Sequence, residues 1–438
     1  SAPRIKWEHN TPFSIEFEDV YYDRHDGLEE SRYVFLEHNQ LAQRWSAMTD
    51  APGNSFTIGE TGFGTGLNFL AAWALWRQFG FRHARLQFVS AEKYPLDAGI
   101  LKRAHGEWPE LASLSSQLCA ALPLAYPGVH RRVFSNDRVW LTLLHDDAAN
   151  AFENVQARVD AWFLDGFSPK RNPDLWSPRV FNAMARLSHE GTTFATFFSA
   201  GQVQHDLGLA GFAICKQPGS GYKREMCCGH FVDKTPPSDN SRQDRTHPNS
   251  AGLPNASPAL PTIDRLPVQD APWFRHKIPA KVPVKVVVIG AGLAGCATAA
   301  ALAARGLRVT VVDEAPCIAS AASGNPIGLT FVRLTTHASA QNRYYLLAYL
   351  HALGHLRRIF SAAKIPEGEA GCLNGILRVF DDEQEQAELE AFLQSPGAEL
   401  LVQRQSREQL SALAGFPIDK AGVLQPGSGW LNPATLCR

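Results

Sequence analysis

Two glycine-rich loops constrain this chain more than any other feature: Glu60-Thr61-Gly62-Phe63-Gly64-Thr65-Gly66 and Gly290-Ala291-Gly292-Leu293-Ala294-Gly295. Each follows an apolar, strand-like run and precedes a helix-like one. A loop so placed needs glycine because the backbone must turn sharply and approach a ligand closely at a helix N-terminus, where a β-carbon would collide. The pair therefore predicts two α/β domains, and their different glycine spacing predicts two different ligands. A chain of 438 residues fits that division, since domains run to about 100–200 residues each.

With 45% hydrophobic and 19% charged residues the composition is globular, and no apolar run is long enough to span a bilayer. The formal charge is −1, from 42 Lys and Arg against 43 Asp and Glu, so a nucleic-acid partner would have to be held by a local basic patch. The eight cysteines show no CxxC spacing and Cys227-Cys228 are adjacent, which argues against zinc ligation and a disulfide framework. Ser1-Ala2-Pro3-Arg4 carries no apolar signal core. The expectation is a cytoplasmic monomer with no membrane contact and no metal.

Between Lys234 and Val284, prolines such as Pro236, Pro237, Pro248, Pro254 and Pro258 are mixed with Ser, Asn, Asp and Arg. Proline at that density removes amide donors and blocks both helix and ladder. The predicted organisation is a first domain over 1–234, a linker over 235–270 and a second domain over 271–438. Ala271-Pro272-Trp273-Phe274 reads as a hydrophobic anchor on the second domain.

In the first domain, Ser55 to Glu60 reads as a strand, Leu67 to Trp76 as a helix, and Leu86 to Glu92, Val159 to Asp165 and Thr192 to Phe198 as further buried strands. The alternation predicts a doubly wound parallel sheet, in which ligands bind beyond the carboxyl ends of the strands. Glu60, Glu92 and Asp165 all fall there. The ExGxGxG loop carries an acid that a pyrophosphate would repel but a cationic sulfonium with an amino-acid head would accept. Its expected ligand is S-adenosylmethionine. Glu92 then suits the ribose hydroxyls, Tyr94 or Pro95 the adenine ring, and Asp147, preferred over Asp146 by its spacing from Val139, the adenine amino group.

Asp165-Gly166-Phe167-Ser168-Pro169-Lys170-Arg171-Asn172-Pro173 leaves a buried strand as a rigid, Gly- and Pro-punctuated loop, and resembles the acceptor-positioning motif of amino-group methyltransferases. Transfer from sulfonium to nitrogen is an in-line displacement that depends on positioning. Asp165 is placed to accept a hydrogen bond from the amine and to draw off its proton.

Asp19-Val20-Tyr21-Tyr22, Gly27 to Leu36, Gly62 to Leu70, Asp160 to Phe167 and Lys223-Arg224-Glu225-Met226, taken in order, resemble the MnmC family of bifunctional bacterial enzymes that make 5-methylaminomethyl-2-thiouridine at the tRNA wobble position. The resemblance implies an α/β chain: an N-terminal class I, Rossmann-like S-adenosylmethionine methyltransferase domain, then an FAD-binding Rossmann-type domain of the glycine/D-amino-acid oxidase type. It implies that Glu60, Gly62, Gly64, Gly66, Asn68, Glu92 and Asp147 hold S-adenosylmethionine and that Asp165 faces the acceptor amine. Phe167, Lys170, Arg171, Lys223 and Arg224 become candidates for contact with the tRNA, with Trp176 and Tyr222 as further rings for a splayed wobble base.

In the second domain Val284 to Ile289, the GAGLAG loop, an alanine-rich helix and the strand Arg308 to Asp313 form a dinucleotide fingerprint, with Asp313 at the distance expected of a ribose ligand. FAD and NAD both satisfy that pattern. Ala322-Ser323-Gly324-Asn325 resembles the family's flavin-side loop, which implies FAD, with Gly290, Gly292, Gly295, Asp313, Ser323 and Asn325 as its ligands. The implied chemistry is oxidative removal of a carboxymethyl group from a carboxymethylaminomethyl uridine, giving the amine that the first domain methylates. Because the family's flavin domain continues further, this one is expected to be incomplete. A basic seam between Ala271 and Val312, free of Asp and Glu, is a further candidate for tRNA contact. Two other classes stay open: a small-amine methyltransferase fused to an NAD-dependent oxidoreductase, and a tRNA-binding scaffold with an inactive flavin half.

Overall fold

A computed structural model describes residues 3–24, 26–220, 224–232, 285–332, 340–362, 368–380, 383–395 and 397–438. The proline-rich segment, the Trp273-Phe274 anchor, Tyr222 and Lys223 lie outside them, as does the part of the basic seam before residue 285.

The chain opens with a small antiparallel sheet, β1 (Ile5–Glu8), β2 (Thr11–Ser14) and β3 (Asp19–Val20), followed by helices α1 (Gly27–Ser31) and α2 (Leu41–Ser46). An eight-stranded sheet comes next, made of β4 (Ser55–Glu60), β5 (Arg85–Ala91), β6 (Gly128–Phe134), β7 (Val139–His145), β8 (Ala161–Phe163), β9 (Thr193–Thr196), β10 (Phe212–Pro218) and β11 (Glu225–Phe231). Its order is β10-β11-β9-β8-β4-β5-β7-β6. The strands β9, β8, β4, β5 and β7 run parallel, and β6 and the β10–β11 hairpin close the two edges antiparallel. The predicted doubly wound sheet is present, with edges that the apolar runs alone did not announce.

Helices α3 (Leu67–Phe79), α4 (Ala98–His105), α5 (Ala112–Ala121), α6 (Ala148–Glu153), α7 (Pro178–Leu187) and α8 (Gly201–Leu209) cover the sheet and create a core on each face. One core holds Trp45, Phe69, Trp73, Trp76, Phe88 and Phe163, the other Phe152, Trp162, Phe181 and Phe194. β4 is central, so both its faces are covered and five of its six residues are buried. Gly59 in β4 is required by the indole opposite, because a β-carbon there would lie 2.4 Å from a ring carbon of Trp162. α3 outruns its predicted end at Trp76 and stops at Gly80, whose φ of 62° a side chain would oppose.

In the second domain β12 (Lys285–Ile289) pairs in parallel with β13 (Arg308–Val312), linked by α9 (Leu293–Ala304). Among the described residues this is a two-stranded sheet, and its apolar side chains stay open: Ile289 is 87% and Val287 62% exposed. A second core forms instead around helix α10 (Ala340–Ala362), from Leu346, Leu350, Leu353, Phe380, Phe392 and Val423. Leu124 and Tyr126 of the first domain pack against it. Arg138 Nη1 donates to Ala304 O at 2.7 Å and Arg358 Nη1 to Val133 O at 3.1 Å, so the domains meet along β6.

Candidate functional site

The parallel strands β4, β5, β7 and β8 end side by side, and the chain turns polar beyond each of them: the glycine loop, Glu92, Asp146-Asp147 and Asp165. They surround a cavity of about 370 Å³. Glycine at 62 lets the loop lie against the backbone of the acceptor loop, since a β-carbon there would stand 3.0 Å from Asp165 O. Gly64, at φ 52°, faces the Tyr21 ring, which a β-carbon would approach to 3.3 Å. Gly66 does not line the cavity; it opens α3 at φ 75°, where a β-carbon would strike the Phe63 ring.

Glu92 lines the cavity with its carboxylate fixed at both oxygens, Oε2 accepting from Gly64 N and Oε1 from Tyr94 N, each at 2.8 Å. Burial raises its carboxyl above the ordinary carboxylate value, against the pull of those two amides. Each oxygen keeps a lone pair for a ribose hydroxyl. Asp147 also lines the cavity, but its Oδ1 caps α6 through Ala149 N at 3.1 Å and its Oδ2 lies 3.8 Å from Lys93 Nζ. Asp146 stands beside it in the lining.

Glu60 lies elsewhere than the sequence suggested. It is completely buried beneath the loop and is not among the residues that line the cavity. Ser90 Oγ bonds its Oε2 at 2.7 Å and Asn68 Nδ2 its Oε1 at 3.0 Å. Burial, then the charge of Asp165, raises its carboxyl well above the ordinary range. The same Asn68 Nδ2 donates to Asp165 Oδ2 at 2.5 Å, while Gly166 N donates to Oδ1 at 2.7 Å. Asp165 is thus held at the cavity wall with both oxygens oriented.

The acceptor loop is clamped from the N-terminus. Phe17 stacks on Phe167 at 4.6 Å, Tyr21 meets the same ring edge-on at 5.0 Å, and Asp19 Oδ2 accepts from Ser168 N at 3.1 Å. Sequence reasoning missed this strap as part of the site, because no periodicity marks it. Arg171 lines the cavity but is ion-paired with Glu18, and Lys170 and Arg224 are exposed outside it. Trp176 is buried and donates to Phe167 O at 2.8 Å, so it braces the loop and is not a ring for a base. A second missed residue is His105. Its Nε2 lies 2.8 Å from Thr65 O and its Nδ1 2.8 Å from Ser115 Oγ, and burial holds its pKa below the ordinary value. A carbonyl only accepts, so the neutral ring donates through Nε2 and pins the glycine loop.

In the second domain Gly290 adopts φ 100°, and a β-carbon on Gly295 would lie 1.8 Å from Gly290 O. The GAGLAG loop therefore holds the close strand-to-helix turn that a dinucleotide phosphate needs. Asp313 Oδ2 accepts from Ala291 N at 2.6 Å and Oδ1 from Ala315 N at 2.9 Å, which lowers its carboxyl. Ser323 Oγ accepts from Leu293 N at 3.1 Å and sits over Gly292; Asn325 is exposed nearby. These residues fit the adenosine and pyrophosphate part of a flavin dinucleotide. Among the described residues no group of His, Cys, Asp and Glu could hold a metal, and no helix is long and apolar enough to cross a membrane.

Residues 109–231 match the model of an S-adenosyl-L-methionine-dependent methyltransferase family, and residues 285–438 that of the FAD dependent oxidoreductases. The second loop lies inside the oxidoreductase match, and the first follows β4, which pairs with β8 inside the methyltransferase match. The tRNA 5-methylaminomethyl-2-thiouridine biosynthesis bifunctional protein MnmC of Pseudomonas paraeruginosa is 41% identical over 436 residues, 99% of this chain and 61% of that protein. Its counterpart in Chromobacterium violaceum is 40% identical over 438 residues, 100% of this chain and 61% of that protein. The chain thus spans about three fifths of the length of these relatives. Among solved structures, MNMC2 from Aquifex aeolicus aligns over 55% of this chain and 73% of that chain at 22% identity, with a TM-score of 0.43. With relatives along its whole length and a methyltransferase segment followed by an oxidoreductase segment, the chain is similar from end to end to about three fifths of the MnmC proteins.

Proposed function

We propose that this protein modifies the wobble uridine of tRNA in two steps: FAD-dependent removal of the carboxymethyl group from 5-carboxymethylaminomethyl-(2-thio)uridine, then S-adenosylmethionine-dependent methylation of the freed 5-aminomethyl nitrogen. In this reading it acts in the cytoplasm, as a monomer. The observation that carries it is Asp165, a carboxylate oriented by Asn68 and Gly166 at the wall of an acid-lined cavity. A sulfonium bound there supplies a methyl group on a neutral leaving group. Gly62, Gly64, Asn68, Glu92 and Asp147 form the cradle for that donor, and Glu60 and Gly66 shape it from beneath. Asp165 accepts a hydrogen bond from the amine, aligns its lone pair, and takes the proton released as the carbon–nitrogen bond forms. Phe17 and Phe167 close the mouth against water.

In the second domain Gly290, Gly292, Gly295, Asp313, Ser323 and Asn325 hold the dinucleotide part of FAD, whose isoalloxazine supplies hydride acceptance. Loss of hydride from the N–CH2 carbon would leave an imine that water hydrolyses to glyoxylate and the free amine, the acceptor of the first site, which places the oxidation before the methylation.

The deciding experiment incubates the protein with S-adenosylmethionine and tRNA carrying 5-aminomethyl uridine at the wobble position, followed by mass spectrometry of the nucleosides. One added methyl group on the aminomethyl nitrogen is expected; none sinks the proposal. Asp165→Asn keeps the shape of the side chain and removes its charge. A loss of kcat of about 100-fold or more is expected, with S-adenosylmethionine affinity nearly unchanged; equal turnover would reduce Asp165 to a loop brace.

A further inference from the structure

The cavity that takes the methyl donor is a poor place to hold phosphate. Its lining carries Glu18, Asp19, Glu30, Asp146, Asp147 and Asp165, and its cations Lys93 and Arg171 face Asp147 and Glu18. Such a rim attracts an amine and repels a phosphodiester. With a net charge of −1 over the whole chain, an RNA backbone must find its cations concentrated somewhere else.

They are concentrated on the edge strand β6 and the elements of the second domain that meet it. Arg131 and Arg132 lie on β6, Arg138 follows it, Arg85 opens β5, Arg305 ends α9, and Arg358 lies on α10. Burial lowers the pKa of Arg85, Arg131 and Arg132, and neighbouring cations add to it: Arg131 feels Arg305, Arg85 feels Arg138 and Arg305, and Arg132 feels Arg358. His351 on α10 joins the two groups, since it feels Arg132, Arg358 and Arg131. Among the described residues, the charged groups acting on Arg85, Arg131 and Arg132 are cations, and Asp50 stands beside Arg138. What holds these guanidinium groups in place is largely uncharged. Arg138 donates to Ala304 O and His83 O, Arg358 to Val133 O, Arg131 to Thr142 Oγ1, and Trp140 lies under Arg85 and Arg138 at 5.6 and 5.4 Å. Carbonyl and ring contacts orient a guanidinium and leave its charge unneutralised, with further N–H donors in hand.

We propose that this arginine seam along β6 is a phosphate-docking surface for the body of a folded RNA. The proposal rests on the reading of tRNA as substrate. Arg85 begins β5, whose other end leads to Glu92 in the cavity. A strand of seven residues spans roughly 20 Å, so the seam grips RNA well away from the nucleoside being methylated. The acidic cavity then receives the wobble base and its amine, and the seam supplies the affinity that the cavity cannot.

Arg138 and Arg358 also tie the two domains together, so the test uses Arg131 and Arg305. Among the described residues Arg131 bonds Thr142 Oγ1 within the first domain, and Arg305 bonds Ala301 O of its own helix. Binding of a tRNA with uridine at the wobble position is measured across a range of KCl concentrations for the wild type, Arg131→Gln/Arg305→Gln and Arg131→Lys/Arg305→Lys. The Gln pair is expected to bind about 10-fold more weakly near 0.1 M salt and to lower the slope of log affinity against log salt by roughly 1–2. The Lys pair is expected to keep most of both, and S-adenosylmethionine affinity and Tm are expected to stay put in either. Unchanged tRNA affinity and slope in the Gln pair would overturn the seam. So would equal loss in the Lys pair, because charge would not be the cause. A wild type that neither binds nor methylates tRNA would instead remove the substrate reading itself.

Discussion

One amide nitrogen, Asn68 Nδ2, serves two carboxylates, Glu60 at 3.0 Å and Asp165 at 2.5 Å. Two charges bridged by one neutral donor cannot both persist without water. Glu60 is the one sealed off, and its carboxyl is raised well above 4.5 by burial and then by Asp165. It therefore holds its proton while Asp165 faces the cavity, a division of roles set by environment. The linked stability has a definite sign. Below pH 4.5 Glu60 is protonated folded and unfolded, and the fold bears no penalty. As pH rises the unfolded side chain ionises first, so stability falls until pH passes the folded value. Glu60→Gln mimics the neutral acid and keeps a partner for both Asn68 and Ser90. Its Tm is expected to gain on wild type as pH rises above 4.5 toward the folded value, with methyl transfer retained. A constant Tm difference over that range would mean that Glu60 ionises normally. The sequence showed that an acid precedes the glycines but not where it points. Glu60 pairs in register with Ser90 on β5, and that contact exists only once two strands distant in sequence lie side by side.

At the scale of elements, the strap of residues 17–23 and the GAGLAG turn are two ways of fixing a loop. The strap carries two kinds of fastening. Arg171 and Glu18 form an exposed ion pair, of a kind worth about 0–1 kcal/mol. Asp19 instead accepts a backbone amide of the acceptor loop, a charge-assisted bond of about 1.5–3 kcal/mol. Asp19→Ala is therefore expected to raise KM for S-adenosylmethionine several-fold, roughly 3- to 10-fold, and Arg171→Ala less than about 2-fold. Equal effects in steady-state kinetics would show that the strap does not close through Asp19. In the second domain a β-carbon on Gly295 would collide with Gly290 O at 1.8 Å, and that oxygen belongs to the backbone. Gly295→Ala is expected to abolish flavin absorbance in the purified protein and to leave S-adenosylmethionine binding unchanged. The turn and the central strands were legible because glycines and apolar runs are local signals; β4 spans the residues read from sequence, Ser55–Glu60. The strap was not, since Asp19 acts on Ser168, 149 positions away.

Across the whole molecule the two glycine loops stand on unequal foundations. Both cores of the first domain are built from buried residues between Leu28 and Cys227, so its packing closes on itself. Around the second loop, α9 buries none of its residues and Ala291 is the buried apolar residue of the turn. The core around α10 borrows Leu124 and Tyr126 from the first domain. A glycine signature reports the local turn and is silent about what covers the strands beside it, which is why sequence showed two loops alike and structure shows them different. Cooperative melting depends on burial, because a sheet whose apolar side chains stay largely exposed has little apolar area to lose on unfolding. A fragment of residues 1–232 is expected to melt in one sharp transition and to bind S-adenosylmethionine, with Leu124 and Tyr126 newly exposed and a Tm only a few degrees lower. A fragment of residues 285–438 is expected to melt broadly, having lost the two side chains that complete its core. Circular dichroism melts of the two fragments beside the full chain decide the matter. A sharp transition in the second fragment would show that its own packing suffices, and a broad one in the first would mean that the methyltransferase fold leans on the seam along β6.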